Sequence, residues 1–545
     1  MARKNITRIG GLLLILFFSI ATTFKSDQGK YFEISKNLEI FTNLYKEINT
    51  YYVDDLDPSK IMRTGIDAML ESLDPFTNYI SESDIEGFRY ITEGRYNGIG
   101  AQIALIRDYV TITEPYEDSP AFKAGLKAGD QIVAVEGRSA KGKTPDEVDA
   151  ILKGYPGTEI ELTVRRPGED KDLSIKLSRD EVKVPNVPYS GMVNDGIGYI
   201  ALTTFTRDAG RNVGDALMKL KKDHPDLKGV IFDLRGNGGG LLTEAVNVSN
   251  VFIPKGELVV TTKGKVQDWD RSFKTLNAPI DEKIPLVVLI NDRSASASEI
   301  VSGVLQDYDR GVLLGQRSYG KGLVQNTYDI GYNSKVKMTT AKYYIPSGRC
   351  IQSVEYQDGE PVHIPDEQRA QFQTRNGRTV LDGGGVKPDL MVDKNLNKSV
   401  VKALLEQYLL FDYVTQYCLK HEDIGPVADF HFTGWDDFLA FLEKSDFQYE
   451  TQSEQLLIQL QERSAAEGYD LSDEIAQLEK RVEEIKRSEL AENKTTIVDL
   501  LEKEIASRYH YQRGKIQIGL RNDAEIVEAV QLSKSPEKYK KRLDL

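Results

Sequence analysis

Three short segments carry residue types that acyl-transfer chemistry requires. The first, Asn291-Asp292-Arg293-Ser294-Ala295-Ser296-Ala297-Ser298-Glu299-Ile300, places small residues between an apolar run, Pro285 to Ile290, and an amphipathic stretch, Ser298 to Tyr308. A tight strand-to-helix turn can push a hydroxyl into a cleft, while the helix N-terminus supplies free N–H donors and partial positive charge. Taken alone, the same residues read first as a helix cap made by Ser298 and Glu299. The second segment, Ser318-Tyr319-Gly320-Lys321-Gly322-Leu323-Val324-Gln325, sets one lysine between two glycines. A lysine becomes a base only if burial disfavours its charged form and lowers its pKa from about 10.4 toward neutrality. Outside such a site it is a solvated surface residue. No histidine lies between His224 and His363, so a serine–histidine pair would have to recruit its base from elsewhere. The third segment, Asp233-Leu234-Arg235-Gly236-Asn237-Gly238-Gly239-Gly240, follows an apolar strand. It lacks the GK[ST] ending of a phosphate loop and the GxGxxG spacing of a dinucleotide site. Glycine N–H groups can instead approach a tetrahedral intermediate unobstructed, with the Ala297 amide as second donor.

The elements around these segments alternate. Ile197 to Thr203 reads as a strand, Val213 to Leu220 as a helix, Gly229 to Leu234 as a buried strand, and Val312 to Leu314 as another strand, an α/β layer rhythm. Before it, Gln102 to Leu105, Val110 to Glu114, Gln131 to Val135 and Glu159 to Arg165 are short strands among glycine turns, with short helices at Pro120 to Ala124 and Pro145 to Leu152. The run Ser119-Pro120-Ala121-Phe122-Lys123-Ala124-Gly125-Leu126-Lys127-Ala128-Gly129-Asp130-Gln131-Ile132 resembles the signature of PDZ domains. By that resemblance the loop Tyr96 to Gly100, with Tyr96, Gly98, Ile99 and Gly100, would present amides to a peptide's terminal carboxylate, and the peptide would add as a strand. Residues 30–88 have helical periodicity through Leu38, Phe41, Leu44 and Ile48, broken at Leu73-Asp74-Pro75-Phe76-Thr77. The tail is helical and charged. Its seam Leu471, Ile475, Leu478, Val482, Ile485 spans about two heptads, which favours an accessory helical domain over a coiled coil.

Composition narrows the partners. The chain has 545 residues and a net charge of -14, which argues against a nucleic-acid binder. Two cysteines, Cys350 and Cys418, give no disulfide scaffold, and the five histidines form no HxxxH or HExxH pair, so neither a metal nor any other cofactor is expected. Arg3, Lys4 and Arg8 precede the apolar run Ile9 to Phe24, the layout of a secretory signal. At 16 residues the run is shorter than the roughly 20 that span a bilayer. Cleavage near Ser19-Ile20-Ala21 or retention as an anchor both fit, and the protein is expected to be exported, periplasmic or membrane-attached.

Together with Thr339-Thr340-Ala341-Lys342-Tyr343-Tyr344-Ile345-Pro346-Ser347-Gly348-Arg349 and Gly384-Gly385-Val386-Lys387-Pro388-Asp389, these motifs stand in the order of the carboxyl-terminal processing proteases, which the chain resembles over residues 35 to 392. The resemblance implies a serine–lysine dyad: Ser296 as nucleophile rather than Ser294 or Ser298, Lys321 as base 25 residues later, and Gln325 orienting the lysine. It implies an oxyanion hole of Gly239, Gly240 and Ala297. Asp292-Arg293, where a glycine pair is frequent, and Cys350, where Ser or Thr is usual, depart from the family pattern without touching the dyad. The expected layout is α/β and α+β multidomain. Residues 1–24 form the export segment, 30–88 an N-terminal helical region, 89–180 an inserted PDZ module, 181–394 a ClpP/crotonase-like protease core, and 395–545 a helical domain without an assigned role. Substrates would be exported proteins with accessible apolar C-terminal tails. An adaptor protein and a homodimer are compatible with this layout. The competing readings are an inactive PDZ scaffold that only binds tails, and a crotonase-like acyl-CoA enzyme, which explains neither the export segment nor the PDZ run.

Overall fold

The computed structural model describes residues 30–194, 196–352, 354–357, 360–363, 365–392 and 399–545. The expected export segment, 1–24, lies outside these residues. Among the described residues no helix is long and apolar enough to cross a membrane. The chain divides into two units, Met1–Tyr79 and Ile80–Leu545.

In the first unit, a helix over 30–51 is followed by Pro58–Glu71. The second helix starts where the sequence dictates: Asp57 accepts from the amides of Ser59 and Lys60, and Pro58 occupies a position whose N–H would be orphaned. The stop near Asp74 is also local, with that carboxylate taking the amides of Phe76 and Thr77.

The second unit begins with the helix Ile85–Glu93, closed by Gly94 in the left-handed region. The chain then enters the PDZ module through Arg95–Gly98 and leaves it through Asp180–Lys183, and these two strands pair antiparallel as a stem. The module's sheet has the order Ala101–Ile106, Tyr109–Pro115, Gln131–Val135, Glu159–Arg165, Leu173–Ser178, so Ala101–Ile106 is an edge. Its helices, Pro120–Lys123 and Pro145–Leu152, both open on proline behind a hydroxyl cap, Ser119 and Thr144. Val110, Ile112, Ile132, Val148 and Leu162 are fully buried in its core.

The next layer is a sheet ordered Tyr189–Asn194, Ile197–Ala201, Gly229–Asp233, Leu286–Ile290, Val312–Gly315, Leu390–Met391; its first pair is antiparallel and the rest parallel. Strands covered on both faces must be apolar throughout, and Leu286-Val287-Val288-Leu289-Ile290 is wholly buried. One face carries the helices Ala209–Asp223, Leu242–Phe252 and Ala297–Asp307. The other is covered by Ile526, Ala529 and Leu532 of the helix Ala524–Ser533 and by Tyr539 and Leu543 beyond it. Within the expected helical domain, 395–545, the helices Ala524–Ser533 and Pro536–Arg542 thus pack on this sheet. Tyr539 fixes them there: its hydroxyl accepts from the Leu286 amide at 2.9 Å and donates to the Leu286 carbonyl at 3.1 Å. A second sheet is built on the long hairpin Leu323–Gly331 and Ser334–Tyr344.

Between these parts lies a helical body with its own core, including Leu404, Tyr413, Phe438, Ile497 and Leu501. Of the heptad seam expected in the tail, Ile475 is buried while Leu478 and Ile485 are exposed, and the helices Gln452–Glu467 and Ser472–Glu492 contact each other locally, not as a long coiled coil. The PDZ module docks on this body. Arg107 pairs with Asp412, and Phe122 meets Tyr511 edge-on at 5.8 Å. Gly129 approaches Thr415 so closely that a Cβ would sit 2.9 Å from its methyl.

Candidate active site

The serine turn follows the central strand Leu286–Ile290 and opens the helix Ala297–Asp307. Its three serines are unlike. Ser294 and Ser298 are fully buried, and their hydroxyls donate to the carbonyls of Leu234 and Asn237, each at 2.8 Å. These two hold the turn together. Ser296 alone is partly exposed, and its backbone has φ 56°, ψ -112°, a conformation that costs about 1–3 kcal/mol for a residue with a Cβ and that surrounding contacts must enforce.

Glu299 supplies much of that enforcement. It is wholly buried and accepts four hydrogen bonds: from the amides of Ser296 at 2.8 Å, Lys321 at 2.9 Å and Gly320 at 2.6 Å, and from the Ser318 hydroxyl at 2.5 Å. One carboxylate oxygen thus receives both the Ser296 and the Lys321 amide. Burial pushes the Glu299 carboxyl above its ordinary range, while its donors act the other way. A second bridge comes from Tyr343, also buried. Its hydroxyl lies 2.7 Å from the Lys321 carbonyl and 3.2 Å from that of Ser296; with one proton to donate, it serves the nearer acceptor better. Tyr319 adds a third link, its amide donating to the Ser294 carbonyl at 3.0 Å.

The lysine turn is itself clamped. Gly322 has to be glycine because a Cβ would stand 2.6 Å from the Gln352 amide nitrogen. Lys321 is partly buried. Gln325 lies on the hairpin strand that follows and donates its side-chain amide to Thr339 at 3.1 Å.

The glycine loop packs directly on the serine turn. A Cβ at Gly239 would lie 2.7 Å from the Ala295 carbonyl and 2.9 Å from the Ser296 Cβ, and φ is +99°. Asn237, fully buried, ties the two together: its carbonyl accepts from the Ala295 amide and the Ser298 hydroxyl, while its side chain donates to Leu202 and accepts from the Gly239 amide at 2.9 Å. The Gly239 N–H therefore donates within its own loop. The amides of Gly240 and Ala297 have no acceptor among the described residues; Ala297 is the first residue of its helix, where an N–H is left over by geometry.

At the PDZ module, Tyr96 and Gly98 belong to the stem strand Arg95–Gly98, so the expected loop Tyr96 to Gly100 shrinks to Ile99 and Gly100. The pairing with Asp180–Lys183 is what makes strand of residues that look like a turn. Ile99 is buried in the module's core. The carbonyls of Ile99 and Gly100 accept from Ala121, and from Tyr116 and the Ser119 hydroxyl, so this link is anchored through its oxygens.

Sequence reading missed Asn237 and Tyr343 and saw Glu299 only as a cap. The available signal for Glu299 was its position three residues after Ser296, from which a side chain reaches back to the N-cap amide. That it also gathers the lysine turn follows only from the tertiary fold.

Family models match in the order of these parts: a PDZ domain over residues 97–177, peptidase family S41 over 196–361, and the C-terminal helical domain of probable PDZ-proteases over 400–532. A carboxy-terminal-processing protease of Bartonella bacilliformis is 38% identical over 359 residues, 65% of this chain and 81% of that protein. A probable CtpA-like serine protease of Staphylococcus aureus (strain COL) is 36% identical over 336 residues, 61% of this chain and 66% of the other. Among solved structures, a photosystem II D1 C-terminal processing protease aligns with 66% of this chain and 93% of its own at 26% identity and a TM-score of 0.36. Motif order, sheet, glycine loop and sequence identity thus agree: the chain belongs to peptidase family S41, as a PDZ-containing carboxy-terminal-processing protease with a helical C-terminal domain.

Proposed function

We propose that this protease is a serine endopeptidase with a Ser296–Lys321 dyad that cuts exported proteins near their C-termini. The observation that carries the reading is the double bracket of Glu299 and Tyr343, which fastens the backbone of the serine turn to that of the lysine turn. An uncharged Lys321 amine takes the Ser296 proton as the hydroxyl oxygen attacks the scissile carbonyl carbon. The amides of Gly240 and Ala297 face the negative oxygen, the C–N bond breaks, and the lysine returns the proton to the departing amine. Water, deprotonated by the same lysine, then attacks the acyl carbon; the bond to the Ser296 oxygen breaks, that oxygen takes the proton back from the lysine, and the acid product leaves. Gln325, four residues beyond Lys321, orients the amine. The edge strand Ala101–Ile106 supports recognition of a tail by strand addition, with the terminal carboxylate at the Ile99-Gly100 link.

Cleavage of a protein with an apolar C-terminal tail by wild type, Ser296→Ala and Lys321→Ala tests this. Both variants should lose activity by at least about a thousandfold. Undiminished turnover by either would reject the assignment, and tail binding without turnover by the wild type would leave a binding scaffold.

A further inference from the structure

Arg235 stands in the glycine loop, two residues before Asn237, and its guanidinium points in two directions. Nε and Nη2 hold Asp233, at the end of the loop's own strand, at 3.0 and 2.6 Å. Nη1 reaches the helix Ala524–Ser533, pairing with Asp523 at 2.7 Å and with Glu525. Both acids are fixed in turn. Asp523 caps its helix with the oxygen not used by Arg235, accepting from the amides of Glu525 and Ile526. Glu525 is buried, and its other oxygen accepts from Gln316 at 3.1 Å. Asp233 further accepts from the Tyr199 hydroxyl at 2.8 Å and from the Arg235 amide at 2.9 Å. Immediately after Arg235 the loop is pinned once more, Gly236 donating to Asn291 ahead of the nucleophile turn.

Three carboxylates around one guanidinium in a largely buried place are a poor device for stability alone, because desolvation offsets much of the attraction. What the arrangement does provide is position. The loop that carries Gly239 and Gly240 is attached to a helix nearly 300 residues away in sequence, and that helix is seated on the catalytic sheet through Ile526, Ala529 and Leu532. We infer that Asp523 and Glu525 are positioning residues for acyl transfer: through Arg235 they hold the glycine loop against the nucleophile turn. This inference rests on the serine–lysine reading above and extends it to a part of the chain outside the family-S41 match.

The test compares full-length wild type with Glu525→Gln, Asp523→Asn, Arg235→Gln, the double variant Arg235→Gln/Glu525→Gln, and Leu501→Ala. Leu501 is fully buried in the core of the helical body, away from the seat of the helix Ala524–Ser533. The readouts are kcat and KM on a tail-bearing protein, the rate at which a fluorophosphonate labels Ser296, and the thermal midpoint, with kinetics taken well below the lowest midpoint. Glu525→Gln should lower kcat and the labelling rate together, by roughly tenfold to a hundredfold, with KM within about twofold. Arg235→Gln should already contain that loss, so the double variant adds little. Leu501→Ala should lower the midpoint and leave kcat nearly unchanged. Wild-type rates in both acid variants would overturn the inference, as would a fall in kcat for Leu501→Ala as large as for Glu525→Gln. Failure of wild type to label at Ser296 is a different result: it would reject the serine–lysine reading, and the positioning claim would fall with it.

Discussion

The serine turn and the lysine turn are each held by hydrogen bonds whose partners lie on the other, and Glu299 is the residue where most of them meet. Replacing it with glutamine keeps the shape but turns one acceptor oxygen into a donor, which then faces an N–H or O–H that it cannot bond. Glu299→Gln should therefore retain the folded far-ultraviolet dichroism spectrum while losing at least about a hundredfold in kcat/KM. The same carboxyl has a stability signature. Its folded pKa is raised by burial, so the native state holds this proton more tightly than the unfolded chain. The contribution is present below the ordinary glutamate value and declines as pH climbs through the folded value. Melts of wild type and Glu299→Gln at a series of pH values should show the wild-type advantage shrinking in that direction; an advantage that grows would contradict the assignment. Tyr343→Phe removes only the hydroxyl near the Lys321 carbonyl, and a cost of about 1 kcal/mol in stability is expected from the lost bond.

At the level of elements, the glycine loop and the serine turn share a contact that leaves no room for a methyl group. Gly239→Ala would put carbon 2.7 Å from a backbone oxygen at a positive φ, so the loop must move away from Ser296, and fluorophosphonate labelling should slow by about a hundredfold or more. These elements differ in how far they can be read without coordinates. Leu286–Ile290 and Pro145–Leu152 announce themselves, one by an unbroken apolar run and the other by proline behind a capping box. Ser294 and Ser298 are chemically the same as Ser296 in sequence, and only their burial against Leu234 and Asn237 separates them. Arg95–Gly98 escaped because its partner strand, Asp180–Lys183, lies on the far side of the whole PDZ module. The engagement of the Gly239 amide by Asn237 escaped for a related reason: which of three consecutive glycines turns its N–H toward a neighbour is decided by dihedral angles, and glycine constrains those least.

At the scale of the molecule, the helical body touches the PDZ module on one side and leads into the catalytic sheet on the other. The PDZ contact includes an ion pair between partly exposed groups and one aromatic edge, together worth about 1–2 kcal/mol, beside the close approach of Gly129 to Thr415 and of Gly168 to Leu419. Phe122→Ala combined with Asp412→Asn should raise hydrogen exchange in Pro120–Lys123 and in the helix Leu409–Lys420, leaving Leu286–Ile290 as protected as before. Loss of protection in that strand would mean that the module is bound into the catalytic sheet more firmly than these contacts allow. The helices Ala524–Ser533 and Pro536–Arg542 have a further bearing on when activity can arise. Every strand of the catalytic sheet precedes them in the chain, yet they roof one of its two faces. A polypeptide still emerging from the ribosome holds Ser296 and Lys321 long before that roof is made. Until then one face of those strands stays open to water, so the sheet can be completed only after the last helices have been made.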